Sequence, residues 1–99
     1  MAMYTMLTRI SPIALKDPTQ YETLGQQVTQ KIHQEVPQVR WVGSYSILGP
    51  YDYLDIFEAP DDATAAKVAV IVRSFGHANT EIWGAIPYDR FLQLAREAA

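Results

Sequence analysis

The sequence predicts an α+β domain in which a four-stranded antiparallel sheet carries two helices on one face. Three observations point there. Strand-like and helix-like runs alternate in the order strand, helix, strand, strand, helix, strand along 99 residues. Gly49 and Pro50 break the chain between the two central strand-like runs, as a hairpin connection does. Asp17 and Asp61 each precede a helix-like run and supply a carboxylate for the free amides of a first turn.

The elements follow in order. Residues 3–10, rich in Tyr, Thr and aliphatic side chains, form the first strand. Asp17 then caps a helix over 18–34, with Pro18 at its first position, where a missing N–H costs nothing. Tyr21, Leu24, Val28 and Ile32 recur at helical spacing and give that helix one apolar stripe, which Pro37 ends. Residues 39–48 and 51–59 are the hairpin strands, and Pro60 stops the second. A helix over 61–75 carries Ala65, Val68, Ala69, Val72 and Phe75 on one side and ends before Gly76, a residue suited to a left-handed cap. Residues 80–86 form the last strand. Pro87 opens a short C-terminal helix whose Tyr88, Phe91, Leu92 and Ala95 are expected to face inward.

This order is the ferredoxin-like βαββαβ arrangement, expected as one domain over residues 1–99. Both main helices share one sheet face, so the other face must be solvated or covered. In the third strand Leu54 and Ile56 point one way and Tyr53, Asp55 and Phe57 the other. In the second, simple alternation sets Trp41, Gly43 and Tyr45 against Val42, Ser44 and Ser46. Neither face of the third strand is plainly polar, and two aromatic residues flanking one acid suggest that the second face is also buried, most economically by a second copy.

Composition narrows the function classes. Hydrophobic residues make up 48% and charged residues 19%, a globular balance. The net charge of −3, with no cluster of Lys or Arg, disfavours nucleic acid and anionic membrane as partners. The apolar run AKVAVIV falls far short of a membrane span, and the N-terminus lacks the features of a secretory signal, so a cytoplasmic location is expected. With no cysteine, disulfides, thiolate catalysis and Cys-ligated metals are excluded. The two histidines stand in no metal-ligand spacing, and neither a phosphate loop nor a nucleophile elbow is present, so neither metal nor cofactor is expected.

The stretch ILGPYDYLDIFEAPDD at 47–62 resembles the GYD family, whose Gly-Tyr-Asp signature is matched by Gly49, Tyr51 and Asp52. Its continuation IFEAPDD at 56–62 matches too. The resemblance implies kinship with dimeric α+β barrels, hence a homodimer or higher homo-oligomer. That group includes cofactor-free oxygenases, isomerases and haem enzymes that work in a cavity between sheet and helices. A haem has no well-placed axial ligand here beyond His77.

Within this frame the candidate catalytic residues are His77, able to move a proton near neutral pH, and Asp55, an acid between Tyr53 and Phe57 whose burial would raise its pKa toward that of a general base. Asp55 reads equally as the partner of a neighbouring hydroxyl or of an Arg from a second subunit. Candidate ligand-binding residues are Tyr51 and Asp52 at the hairpin exit, Trp41, Arg73, and Glu81 with Trp83 on one face of the last strand. Turn packing is the simpler role for Tyr51 and Asp52. Three functions compete: a small-molecule site between sheet and helices, with catalysis left open; a non-catalytic assembly module; and RNA binding on the sheet, disfavoured because Asp52, Asp55 and Glu58 stand where basic residues would be needed.

Overall fold

The computed structural model describes residues 1–12 and 16–99. Strand β1 (Ala2–Ile10) is followed by a 3-10 turn (Pro18–Gln20) leading into α1 (Tyr21–Glu35). Strands β2 (Arg40–Ser46) and β3 (Tyr53–Ala59), helix α2 (Asp62–Ser74), strand β4 (Ala78–Ala85) and helix α3 (Tyr88–Ala98) complete the order. The strands lie β2-β3-β1-β4, every neighbouring pair antiparallel, which is the ferredoxin-like sheet.

Local chemistry sets the boundaries. Asp17 accepts the Thr19 N–H at 3.0 Å and starts the turn before α1. Asp61 accepts from both the N–H and the hydroxyl of Thr64, at 2.8 and 2.7 Å, and caps α2. Gly76 follows α2 with φ of 78°, a left-handed value that a side chain resists. Among the described residues, no helix is long and apolar enough to cross a membrane.

The core lies between the sheet and its helices. Tyr4, Met6, Phe57 and Ala59 from the strands meet Ala65, Val68 and Val72 of α2 and Ile32 of α1. Phe57 has no exposed surface and is sandwiched between Tyr4 and Trp41, with ring centroids 5.6 and 5.3 Å away. Such stacking adds directional attraction to the apolar burial.

Four features depart from the sequence reading. A β-bulge lets the register pass from Trp41↔Phe57 to Gly43↔Ile56, so Val42 has no partner. Trp41 therefore shares the helix-side face with Ser44 and Ser46, and simple alternation fails. The hairpin connection is also longer than the Gly-Pro break suggests, with the Ile47 N–H donating to the Asp52 carbonyl at 3.0 Å across the loop.

The third departure is α3, whose apolar residues do not face inward. Tyr88 is 72% and Phe91 55% exposed, and no residue of α3 is buried. The helix face of the sheet already carries α1 and α2, leaving α3 no core within one chain.

The sheet faces are also reassigned. Tyr53, Asp55 and Phe57 pair with Thr8, Met6 and Tyr4 on the face beneath the helices. The opposite, open face carries Leu54 and Ile56, with Leu7, Tyr45 and Trp83 in register beside them or across β1. Tyr45 is 57% and Trp83 53% exposed.

Candidate functional site

A cavity of about 810 Å³ opens between α1 and the helix-side face of the sheet. It exists because the two helices sit differently. Helix α2 buries six residues, whereas α1 buries only Ile32, so α1 stands off the strands. Met6, Thr8, Tyr53 and Asp55 form the floor, and Leu24, Val28 and Ile32 of α1 form the roof.

Asp55 is the acid in that floor. It lies opposite Met6 on one side and Ser44 on the other. Burial pushes its carboxyl above the ordinary value of 3.8, while hydrogen bonds from Ser44 and Trp41 pull the other way. The Trp41 indole N–H also donates to the Ser44 hydroxyl at 2.7 Å, which orients both donors at the β2 edge. Desolvation likewise raises the pKa of the Tyr53 phenol nearby.

His77 and Val72 lie at the end of the cavity formed by α2 and β4. The His77 ring meets Phe75 edge-on at 6.0 Å, with Nδ1 3.4 Å from the Phe75 carbonyl oxygen. Its own carbonyl accepts the Ser11 N–H at 2.9 Å and holds the loop against the end of β1. Asp55 and Trp41 in the floor and His77 at the α2–β4 end thus line the same cavity, an arrangement that can bind a polar group at one end and offers an imidazole at the other.

The remaining candidates lie elsewhere. The Tyr51 hydroxyl donates to Glu81 Oε2, which raises the Tyr51 pKa. The Arg9 guanidinium lies 5.1 Å over the Tyr51 ring, and its Nε donates to the Pro50 carbonyl at 2.7 Å. Asp52 accepts the Ile10 N–H at 2.7 Å. Together they tie the hairpin loop to the end of β1. Arg73 donates to the Thr80 carbonyl at 2.6 Å and fastens α2 to β4. Trp83 stands on the open face with Glu81. None of these five candidates lines the cavity.

Sequence reasoning overlooked Ser44, Tyr53 and Val28 as cavity residues, and His33, an exposed residue of α1 that also lines it. Tyr53 was within reach, since strand alternation puts it on the Asp55 face. Ser44 was hidden by the bulge. Among the described residues, no group of three or more His, Cys, Asp and Glu side chains comes together to hold a metal ion.

Known proteins agree with this architecture. The family described as "GYD domain" matches residues 4–95. Over 61 residues the chain is 38% identical to a Thermus thermophilus protein named "Glutamine synthetase and cystathionine beta-lyase binding protein", a match covering 59% of this chain and 64% of that protein's length. Among solved structures, TTHA0845 from Thermus thermophilus is similar with a TM-score of 0.60 at 22% identity, covering 88% of this chain and 95% of that one. FFRP-DM1 gives 0.58 at 15% identity, over 87% of this chain and all (100%) of the other. The leucine response regulatory protein LrpA of Mycobacterium tuberculosis gives 0.54 at 12% identity, over 87% of this chain and 51% of that one. At these identities the structural likeness concerns the fold alone.

Proposed function

The chain belongs to the GYD domain family, and from that premise we propose that it is a small-molecule-binding module whose cavity between α1 and the sheet receives the ligand and whose open sheet face closes a homodimer as an α+β barrel. The observation that carries this reading is the cavity of about 810 Å³ under α1. Ligand-binding clefts typically measure roughly 300–1,000 Å³, the range into which this one falls. Asp55 is the polar anchor in this reading, Trp41 and Tyr53 are walls, and His77 is available for proton transfer at the far end. The hairpin cluster of Tyr51, Asp52 and Glu81 acts by holding the loop, and Arg73 by holding β4.

The test fills the cavity. Val28→Trp, at a half-buried position in the α1 roof of the space, is expected to abolish binding of any ligand retained or captured by the parent while preserving the fold. Native mass spectrometry of both proteins reads subunit number and bound mass together. Ligand mass retained by the variant at the parent's level would refute the cavity reading.

A second reading, an assembly module that binds other proteins, is favoured by the name of the Thermus thermophilus relative and by the exposed apolar residues of the open face and α3. The relative matches over part of its length, so metabolic enzymes as partners remain part of this proposal. Pull-down against purified glutamine synthetase, with Trp83→Glu as the control, separates this reading from the first.

A further inference from the structure

The cavity has a chemical polarity that goes beyond its volume. Asp55 presents a carboxylate with room for about four hydrogen bonds, and the donors around it are the Ser44 hydroxyl and the Trp41 indole. No Lys or Arg appears among the described residues that line the space. Its ionisable lining consists of Asp55 and Glu22 as acids, His33 and His77 as bases, and tyrosines. The rest is largely apolar, with Met6, Ile32 and Val72 at its back.

Resting on the cavity reading, we propose that the ligand is a cationic amine on an aromatic or branched aliphatic body, with Asp55 as its counter-charge. A half-buried carboxylate with no cationic partner among the described residues has lost hydration that an ammonium group would replace by a charge-assisted hydrogen bond. The indole of Trp41, on the same face, offers a π surface that also attracts a cation. A carboxylate or phosphate ligand would meet Asp55 and Glu22 and find no guanidinium or lysine ammonium in the lining. The apolar back of the space selects a hydrophobic body.

The test uses three ligands of similar shape: 2-phenylethylamine, 2-phenylethanol and phenylacetate. Calorimetry at neutral pH gives affinities, and methyl NMR of the methionines locates binding. Met6 lines the cavity, while Met3 belongs to the open face. The amine should bind about tenfold more tightly than the alcohol or the acid, as one charge-assisted hydrogen bond provides. It should shift the Met6 methyl and leave Met3 unmoved. Asp55→Asn should remove that tenfold preference, its own methionine spectrum certifying the fold. Equal or tighter binding of phenylacetate, with Met6 shifted, would overturn the amine assignment and leave the cavity reading standing. Failure of all three to shift Met6 at millimolar concentration would overturn both.

Discussion

Asp52, just before β3, accepts the N–H of Ile10 at the end of the neighbouring β1 at 2.7 Å, while its own N–H donates to the Thr8 carbonyl at 2.8 Å. These two bonds clamp the hairpin loop to the last residues of β1. They explain the acid of the Gly-Tyr-Asp signature as a fold residue. Asp52→Ala should cost about 1 kcal/mol, the usual net value of a solvent-accessible hydrogen bond. Asp52→Asn should recover most of it, because the amide oxygen still accepts. Urea midpoints of the three proteins check this, and an alanine variant as stable as the parent would remove the clamp from the account.

Tyr4 joins β1 to the first turn of α2 through a 2.5 Å bond to Asp62 Oδ1. That bond, with burial and the charges of Asp62 and Asp61 adding to it, pushes the Tyr4 phenol from 10.0 up to about 12. A raised pKa means that its contribution to stability is fully present below the unfolded value and is lost as pH rises through the folded one. Stability should therefore fall between about pH 10 and 12, and Tyr4→Phe should flatten that fall. Tyr51 and Tyr53 are also raised, so a residual slope will persist. Denaturation midpoints across this range decide the matter; an unchanged slope in Tyr4→Phe would show that the bond does not form.

Asp55 obeys the same sign rule with a different consequence. Burial raises its carboxyl above 3.8, so folding favours the protonated acid, and stability declines as pH rises through the folded value. Asp55→Asn should accordingly be more stable than the parent at neutral pH and equal to it below pH 3.8. Thermal melts at the two pH values test this. A variant less stable than the parent at neutral pH would mean that the ionised carboxylate is a net structural asset, as a charge held by Ser44 and Trp41 would be.

The strand and helix order was legible because each element carries its own local signal. Asp61 before an apolar helix and Gly76 after it mark α2, and the structure assigns both the expected cap geometry. The faces of β2 were not legible, because a bulge changes the phase of alternation by one residue and leaves no mark beyond Gly43. There an added Cβ would approach the Tyr45 hydroxyl to 3.1 Å. The site was half legible. Acid and aromatic residue types drew attention to Asp55, Trp41 and His77, which the fold brings to one cavity. The same criterion also selected Tyr51, Asp52 and Glu81, whose side chains bond to each other or to the backbone in ways that only the tertiary pairing of β1 with β3 and β4 reveals. The terminal helix was misjudged because amphipathic spacing says that a face is apolar and not which molecule covers it.

That uncovered face yields the last prediction. On the open side of the sheet Trp83 is 53% exposed beside Thr5 and Ile56, and Phe91 of α3 is 55% exposed. A two-fold dimer would bury both copies of such a patch against each other, since the same surface serves both subunits. Large aromatic residues at an interface centre commonly contribute about 2 kcal/mol or more, equivalent to about a thirtyfold change in dissociation constant. Light scattering of the parent should give twice the chain mass of 11.2 kDa. Trp83→Glu should shift it to the monomer at micromolar concentration, because an ionised carboxylate would have to give up its hydration in the dimer centre. His77→Ala, in the cavity on the other face, should leave the mass unchanged. A parent of single-chain mass at high concentration would sink the dimer. A dimer that tolerates Trp83→Glu but falls apart with Phe91→Glu would instead move the interface from the sheet to α3.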